Sequence, residues 1–78
     1  MGGRIGANGA RRDHLETAMA ALVGLLVTMD EVILRMEQAM RRSEVVADVL
    51  RPGVRRLHQA REDLDWLRQE IAVEVLGE

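Results

Sequence analysis

Apolar residues recur along the chain at intervals that alternate between four and three positions. The alternation runs without a gap through Leu15, Met19, Leu22, Leu26, Met29, Ile33, Met36 and Met40. A seven-residue repeat of this kind is typical of helices that pack in a left-handed coiled coil. Ser43 interrupts the repeat, and Ala47 and Leu50 resume it. The pattern therefore predicts one long helix over residues 14–50.

The segment before this helix has a different composition. Residues 1–12 include four glycines and lack the apolar repeat. Asp13 follows, where its carboxylate can cap the free amides of a helix start while Glu16 reaches back to the Asp13 amide. We therefore predict a flexible glycine-rich arm over residues 1–12 and a helical hairpin domain over residues 13–78.

The pair Pro52-Gly53 is the strongest helix-breaking signal in the chain. Proline lacks an amide hydrogen and clashes with the preceding turn, and with the entropy cost of glycine the pair disfavours a helix by roughly 4 kcal/mol. We predict a turn there and a second helix over residues 54–76. Its apolar stripe is Leu57, Ala60, Leu64, Leu67, Ile71 and Val75. Two alternatives stay open, a single kinked rod and an earlier break at Ser43 with 44–50 as a separate short helix.

A short link between two helices makes them antiparallel neighbours. A hairpin folded about residue 52 places Glu37 opposite Arg68 and Glu44 opposite Arg61. We predict these two ion pairs as the contacts that set the register, although Glu37 could instead pair with Arg41 one turn along its own helix.

The longer predicted helix has more apolar surface than one partner helix covers. Over residues 22–36 its apolar side chains span roughly 220°, against about 100° for an ordinary amphipathic helix. A 78-residue chain also has a marginal core by itself. We therefore predict an all-α protein whose hairpins associate into a four-helix bundle or larger assembly. The predicted interface comprises Leu22, Leu25, Leu26, Met29, Val32, Ile33, Met36 and Trp66.

Two points about this interface stay open at the level of the sequence. The partner is a second copy of the chain or a helical segment of another protein. Asp30, at the edge of the apolar arc, either orients subunits at an interface or faces solvent.

The uncharged run from Ala18 to Met29 is too short for a membrane span, which needs about 20 apolar residues. It is bounded by Glu16 and by Asp30-Glu31. The N-terminal stretch MGGRIGANGARRD lacks the apolar core of a secretory signal. We therefore predict no membrane span and a cytoplasmic location.

Residues suited to catalysis or to cofactor binding are sparse. There is no cysteine, and neither of the two histidines follows a glutamate at the Glu-x-x-His spacing of di-metal helical bundles. Ser43 has no histidine beside it in sequence. We predict no enzymatic activity, no metal and no cofactor.

Arginines concentrate around the predicted turn. These are Arg41, Arg42, Arg51, Arg55 and Arg56. They support an alternative function, a small nucleic-acid-binding regulator. The net charge of −2 and the absence of lysine disfavour that alternative. The leading prediction is a non-catalytic, self-associating helical hairpin that acts as an assembly, adaptor or chaperone-like subunit.

Overall fold

Two long α-helices in contact make up the protein. The computed structural model describes the backbone of residues 2–77 and the side chains of residues 9–77. Helix α1 spans Gly2–Arg42 and helix α2 spans Glu44–Leu76. They lie side by side in a rod measuring 64 × 15 × 14 Å. The predicted all-α hairpin is therefore confirmed, with both helices longer than their apolar stripes indicated.

The turn lies at Ser43, and the prediction of a turn at Pro52-Gly53 is wrong. Ser43 leaves the helical conformation with φ −153° and ψ 125°, and its Oγ accepts the Val46 amide at 3.3 Å. Serine is among the best N-cap residues because its hydroxyl satisfies an otherwise free amide. Glu44 in the first turn of α2 complements the positive end of that helix. The alternative break at Ser43 was right in position, but residues 44–50 are not a separate helix.

Pro52 lies inside α2, which continues through it. A proline at this position cannot donate a hydrogen bond to the Asp48 carbonyl one turn earlier. The buried residues of α2, Ala47 and Val54, lie on either side of Pro52. A continuous helix allows both to pack on α1, and this tertiary gain offsets the local cost of the proline.

Helix α1 begins at Gly2 rather than near Asp13. The predicted start is therefore wrong, and residues of the predicted glycine-rich arm lie in the helix. The flexibility of that arm stays a prediction.

The core is a thin layer between the two helices. Leu22, Leu26 and Ile33 of α1 and Ala47 and Val54 of α2 are its buried hydrophobic residues. The remaining members of the α1 repeat are half-buried, namely Leu15, Met19, Met29, Met36 and Met40. The repeat of α1 thus faces α2, and we call this contact line the seam. Burying one leucine or isoleucine stabilises a fold by about 1.5–3 kcal/mol, so five buried residues make a modest core.

The register differs from the predicted one. Arg61 pairs with Asp30 rather than with Glu44, and Arg68 pairs with Asp65 of its own helix, at 2.9 Å, rather than with Glu37. Glu37 lies 3.6 Å from Nε2 of His58. Both predicted pairs are wrong for one reason. Moving the turn from residue 52 to residue 43 shifts every α2 partner of an α1 residue toward the start of α2.

Candidate association surface

The seam of α2 contains two arginines. Its half-buried or buried positions recur at intervals of three and four, through Ala47, Leu50, Val54, Leu57, Arg61, Leu64, Arg68, Ile71 and Val75. The sequence stripe had placed Leu67 in this line and the arginines beside it. In the structure Leu67 is 42% exposed, while Arg61 and Arg68 are half-buried. The shifted register therefore moves an apolar side chain of α2 out of the hairpin.

Along the middle of the two helices the charged contacts lie on one side of the seam, whereas Arg11 pairs with Glu74 at 2.9 Å on the other side, near the open end of the hairpin. Asp30 accepts hydrogen bonds from Arg61, at 2.5 Å from Nε and at 3.1 Å from Nη2. This bidentate geometry is the strongest arrangement for an arginine and a carboxylate. Glu37 and His58 lie on the same side. We call the side with Asp30, Glu37, His58 and the Arg61 guanidinium the ion-pair face.

The Asp30 carboxylate thus has its ion-pair partner, Arg61, in the same chain. The hydrogen bond from Arg61 is the main cause that lowers the pKa of Asp30, and the positive charge of Arg61 adds to it against a smaller opposing effect of desolvation. The same hydrogen bond raises the pKa of Arg61. The pKa of Asp65 is lowered chiefly by its hydrogen bond from Arg68.

We expect Asp30 to make the hairpin acid-sensitive. Because Arg61 holds the pKa of Asp30 in the folded state below the usual value of an aspartate, the pair stabilises the fold above that usual value and loses its effect as the pH falls through the folded-state pKa. An Asp30→Asn variant should therefore be less stable than the wild type near neutral pH. The difference should shrink below about pH 4.

Thermal unfolding followed by circular dichroism from neutral to acidic pH measures this difference. Asp13→Asn, which removes an exposed carboxylate from the same helix, is the matched control. A constant gap between the wild type and Asp30→Asn at every pH would contradict the assignment.

The opposite side of the seam has no charged residue over its middle. Successive residues of a helix are rotated by about 100°, which places Asp30 about 60° to one side of the α1 seam and Leu25 and Val32 about 80° to the other. The column through Leu25 and Val32 repeats every seven residues. It comprises Ala18, Leu25, Val32 and Ala39.

Helix α2 contributes to the same side. Ala60 and Leu67 lie about 70–80° from the α2 seam, in the direction away from His58. Asp30 and Glu37 of α1 contact Arg61 and His58 of α2, so the two helices have their ion-pair sides in common. The opposite sides of the two helices therefore also form one surface. We call the surface formed by Ala18, Leu25, Val32, Ala39, Ala60 and Leu67 the uncharged face.

The apolar side chains of the uncharged face are accessible. Leu25 is 47% exposed and Val32 is 37% exposed. Near the open end of the hairpin a shallow groove of about 550 Å³ is lined by Leu15 of α1 and by Trp66, Leu67, Gln69, Glu70, Ile71, Val73 and Glu74 of α2. This surface therefore has both large exposed side chains and a concave region.

The predicted interface residues divide into two groups. Leu22, Leu26 and Ile33 are buried by α2, and Met29 and Met36 are half-buried. These five residues hold the hairpin together. The exposed ones are Leu25, Val32 and Trp66. The sequence indicated a surplus of apolar surface, but the division between the two groups depends on the position of α2.

Some exposed apolar residues lie outside the uncharged face. Trp66 and Val73 are seven apart on the outer side of α2, and both also line the groove of about 550 Å³ beside Leu67. Val45, Val46 and Val49 are exposed near the turn. On the ion-pair side of the open end, an apolar groove of about 380 Å³ is lined by Met19, Ala20, Ala72, Val75 and Leu76 with Glu16.

The structure brings two of the five arginines of the alternative function together, since Arg41 and Arg51 line one shallow pocket with Glu37, Met40 and Ala47. Arg41 and Arg42 end α1, whereas Arg51, Arg55 and Arg56 lie on α2 beyond its first turn. The Arg51 guanidinium donates to Asp48 at 3.2 Å. Arg55 and Arg56 are consecutive, so their side chains point about 100° apart. The five cations are spread over two helices and more than one side.

Within the described part of the chain, no group of three or more histidine, cysteine, aspartate or glutamate residues is placed to hold a metal ion. The absence of enzymatic activity and of a cofactor stays a prediction.

Helix α1 is long and apolar enough, over Gly9–Arg42, to cross a membrane by length and composition alone. The most apolar stretch of 18 residues in this helix has a mean hydropathy of 1.8, and 17% of that stretch is buried inside the protein. The core helix of a soluble protein and a signal sequence near an N-terminus meet the same criteria. The helix includes Asp30, which Arg61 engages from α2. The absence of a membrane span stays a prediction.

Comparison with known protein families, with curated proteins and with solved structures gives no match to this chain.

Proposed function

We propose that the protein is a non-catalytic, self-associating helical hairpin that serves as an assembly, adaptor or chaperone-like subunit. Its working surface is the uncharged face. The observation that carries this proposal is the accessible apolar column of Leu25 and Val32, which α2 leaves uncovered. Paired hairpins of this kind make a four-helix bundle in which each copy covers the uncharged face of the other.

The exposed area of a single hairpin supports this proposal. The chain has an accessible surface of 6068 Å². From the scaling of surface with mass, a compact monomer of 8.7 kDa exposes about 4,700 Å². The excess of about 1,300 Å² reflects the elongated rod of 64 × 15 × 14 Å, and it is larger than the roughly 800 Å² that each partner buries in a stable protein interface. A single hairpin therefore has enough accessible surface to form an interface with one further hairpin.

The composition of the uncharged face supports the same conclusion. Interface centres are depleted in charged residues because each buried charge must be desolvated. The column of Ala18, Leu25, Val32 and Ala39 has no charge between residues 18 and 39 of α1, and the next member toward the helix start, Arg11, pairs with Glu74 of its own chain. Its alanines let a second helix approach closely at both ends.

Mass measured in solution tests the proposal. We expect light scattering over a concentration series to give at least twice the mass of one chain at micromolar concentrations. The association should persist at high salt, because apolar burial is not screened as ion pairs are. A species with the mass of one chain at high micromolar concentration would refute self-association.

A further inference from the structure

We infer that two copies join uncharged face to uncharged face, with α1 packed antiparallel on α1 of the second copy and α2 packed antiparallel on α2. This inference rests on the proposed self-association and adds the orientation of the partner. A twofold interface uses the same patch on both copies, so the patch must be complementary to itself.

The α1 column is complementary to itself when it is reversed. Read in order it is Ala18, Leu25, Val32 and Ala39, with small residues outside and large residues inside. An antiparallel second column, with the twofold axis between Leu25 and Val32, sets Leu25 against Val32 of the second copy. It also sets Ala18 against Ala39. Large side chains then meet at the centre and small ones at the ends, and these four positions of α1 place no charge between the copies.

The charges at the rim of α2 favour the same orientation. Arg56, Asp63 and Glu70 repeat every seven residues, about 130° from the α2 seam and just outside Ala60 and Leu67. When α2 packs antiparallel on α2, this rim is reversed on itself. Arg56 of each copy then lies along the acidic part of the other rim. Opposite charges at such flanking positions set the pairing of helices.

The opposite orientation lacks this complementarity. If α1 packed on α2 of the second copy, the Arg56 rim would face the corresponding rim of α1. That rim comprises Ala21, Thr28 and Arg35. Arg56 would face no carboxylate on that rim and would instead lie opposite Arg35 of the second copy. Within residues 9–77 neither Arg56 nor Glu70 has an ion-pair partner in its own chain, so both are available for a contact between copies.

Charge reversal tests the orientation. We expect Arg56→Glu to weaken the dimer about tenfold at low salt, since two attractive contacts per dimer become repulsive. Adding Asp63→Arg and Glu70→Arg in the same chain should restore the wild-type dissociation constant. Arg55→Glu makes the same change of charge one residue away, on another side of α2, and is expected to leave it unchanged. Sedimentation velocity over a dilution series measures all four proteins.

Failure of this inference is distinct from failure of the proposed function. A wild-type protein that stays a single chain refutes both the proposed self-association and the orientation. A wild-type dimer that Arg56→Glu leaves unchanged refutes the orientation but leaves self-association standing. A dimer that Arg56→Glu strengthens supports the arrangement with Arg35 facing Arg56, and this overturns the inference in favour of the opposite orientation.

Discussion

The double variant Leu25→Asp with Val32→Asp is expected to be monomeric at concentrations where the wild type is associated. Each substitution places a carboxylate in the middle of the uncharged face, and burying an unpaired charge costs several kcal/mol. With two such charges on each copy, the dissociation constant should rise at least about 100-fold. Sedimentation equilibrium measures the change. Helicity should be retained, because both residues lie outside the buried line of the hairpin.

The control for this variant lies on the other side of the same helix. Val27 and Leu34 are also seven residues apart and are 62% and 51% exposed. The variant Val27→Asp with Leu34→Asp adds the same charges and removes similar apolar area. It should associate like the wild type. If it dissociates while the Leu25 and Val32 variant stays associated, the interface lies on the ion-pair side and the uncharged face is not the working surface.

Replacing Pro52 with alanine is expected to stabilise the hairpin. Proline in the interior of a helix costs about 3 kcal/mol relative to alanine, because it removes one backbone hydrogen bond and its ring crowds the preceding turn. In α2 the missing bond is the one to the Asp48 carbonyl. We expect the free energy of unfolding to rise by about 1–3 kcal/mol. Urea unfolding at one fixed protein concentration measures it, since association also contributes to apparent stability.

Gly53→Ala is the matched control for this prediction. Gly53 also lies inside α2, and a Cβ added there meets no atom within 4 Å. Its replacement should stabilise the protein by about 0.5–1 kcal/mol, through backbone entropy alone. A larger gain from Gly53→Ala than from Pro52→Ala would show that the missing Asp48 bond carries little cost in this helix. A loss of stability in Pro52→Ala would contradict the account of α2 as a continuous helix.

The two sequence signals for a turn illustrate where prediction from local patterns failed. Pro52-Gly53 was judged by its cost within an isolated helix, and that cost is large. Ser43 interrupts the apolar repeat and supports only the alternative of an earlier break, although serine followed by glutamate is also a favourable helix start. The structure ends α1 at Arg42, where a capped start for α2 is available. It then continues through Pro52, because only a continuous α2 presents both Ala47 and Val54 to α1.

That single change explains the wrong ion pairs. The position of the turn sets the register between the two helices of a hairpin. A wrong turn position therefore makes every predicted contact between the helices wrong. Arg61 meets Asp30 instead of Glu44, and Glu37 meets His58 instead of Arg68. The same shift brings Arg61 and Arg68 into the seam and leaves Leu67 accessible.

The sequence by itself determined that the chain is helical, that its helices pair along a seven-residue repeat, and that α1 has more apolar surface than one partner covers. Periodicity is sufficient for these conclusions because it states which side chains share a side of a helix. Only the tertiary structure decided that the chain turns at Ser43, that Asp30 pairs with Arg61, and that Leu25 and Val32 stay accessible while Leu26 and Ile33 do not. These outcomes depend on whether the free energy gained by burying apolar side chains along both helices exceeds the free-energy cost of a proline inside α2. The buried area depends on contacts between residues that are distant in sequence, so local patterns do not determine it.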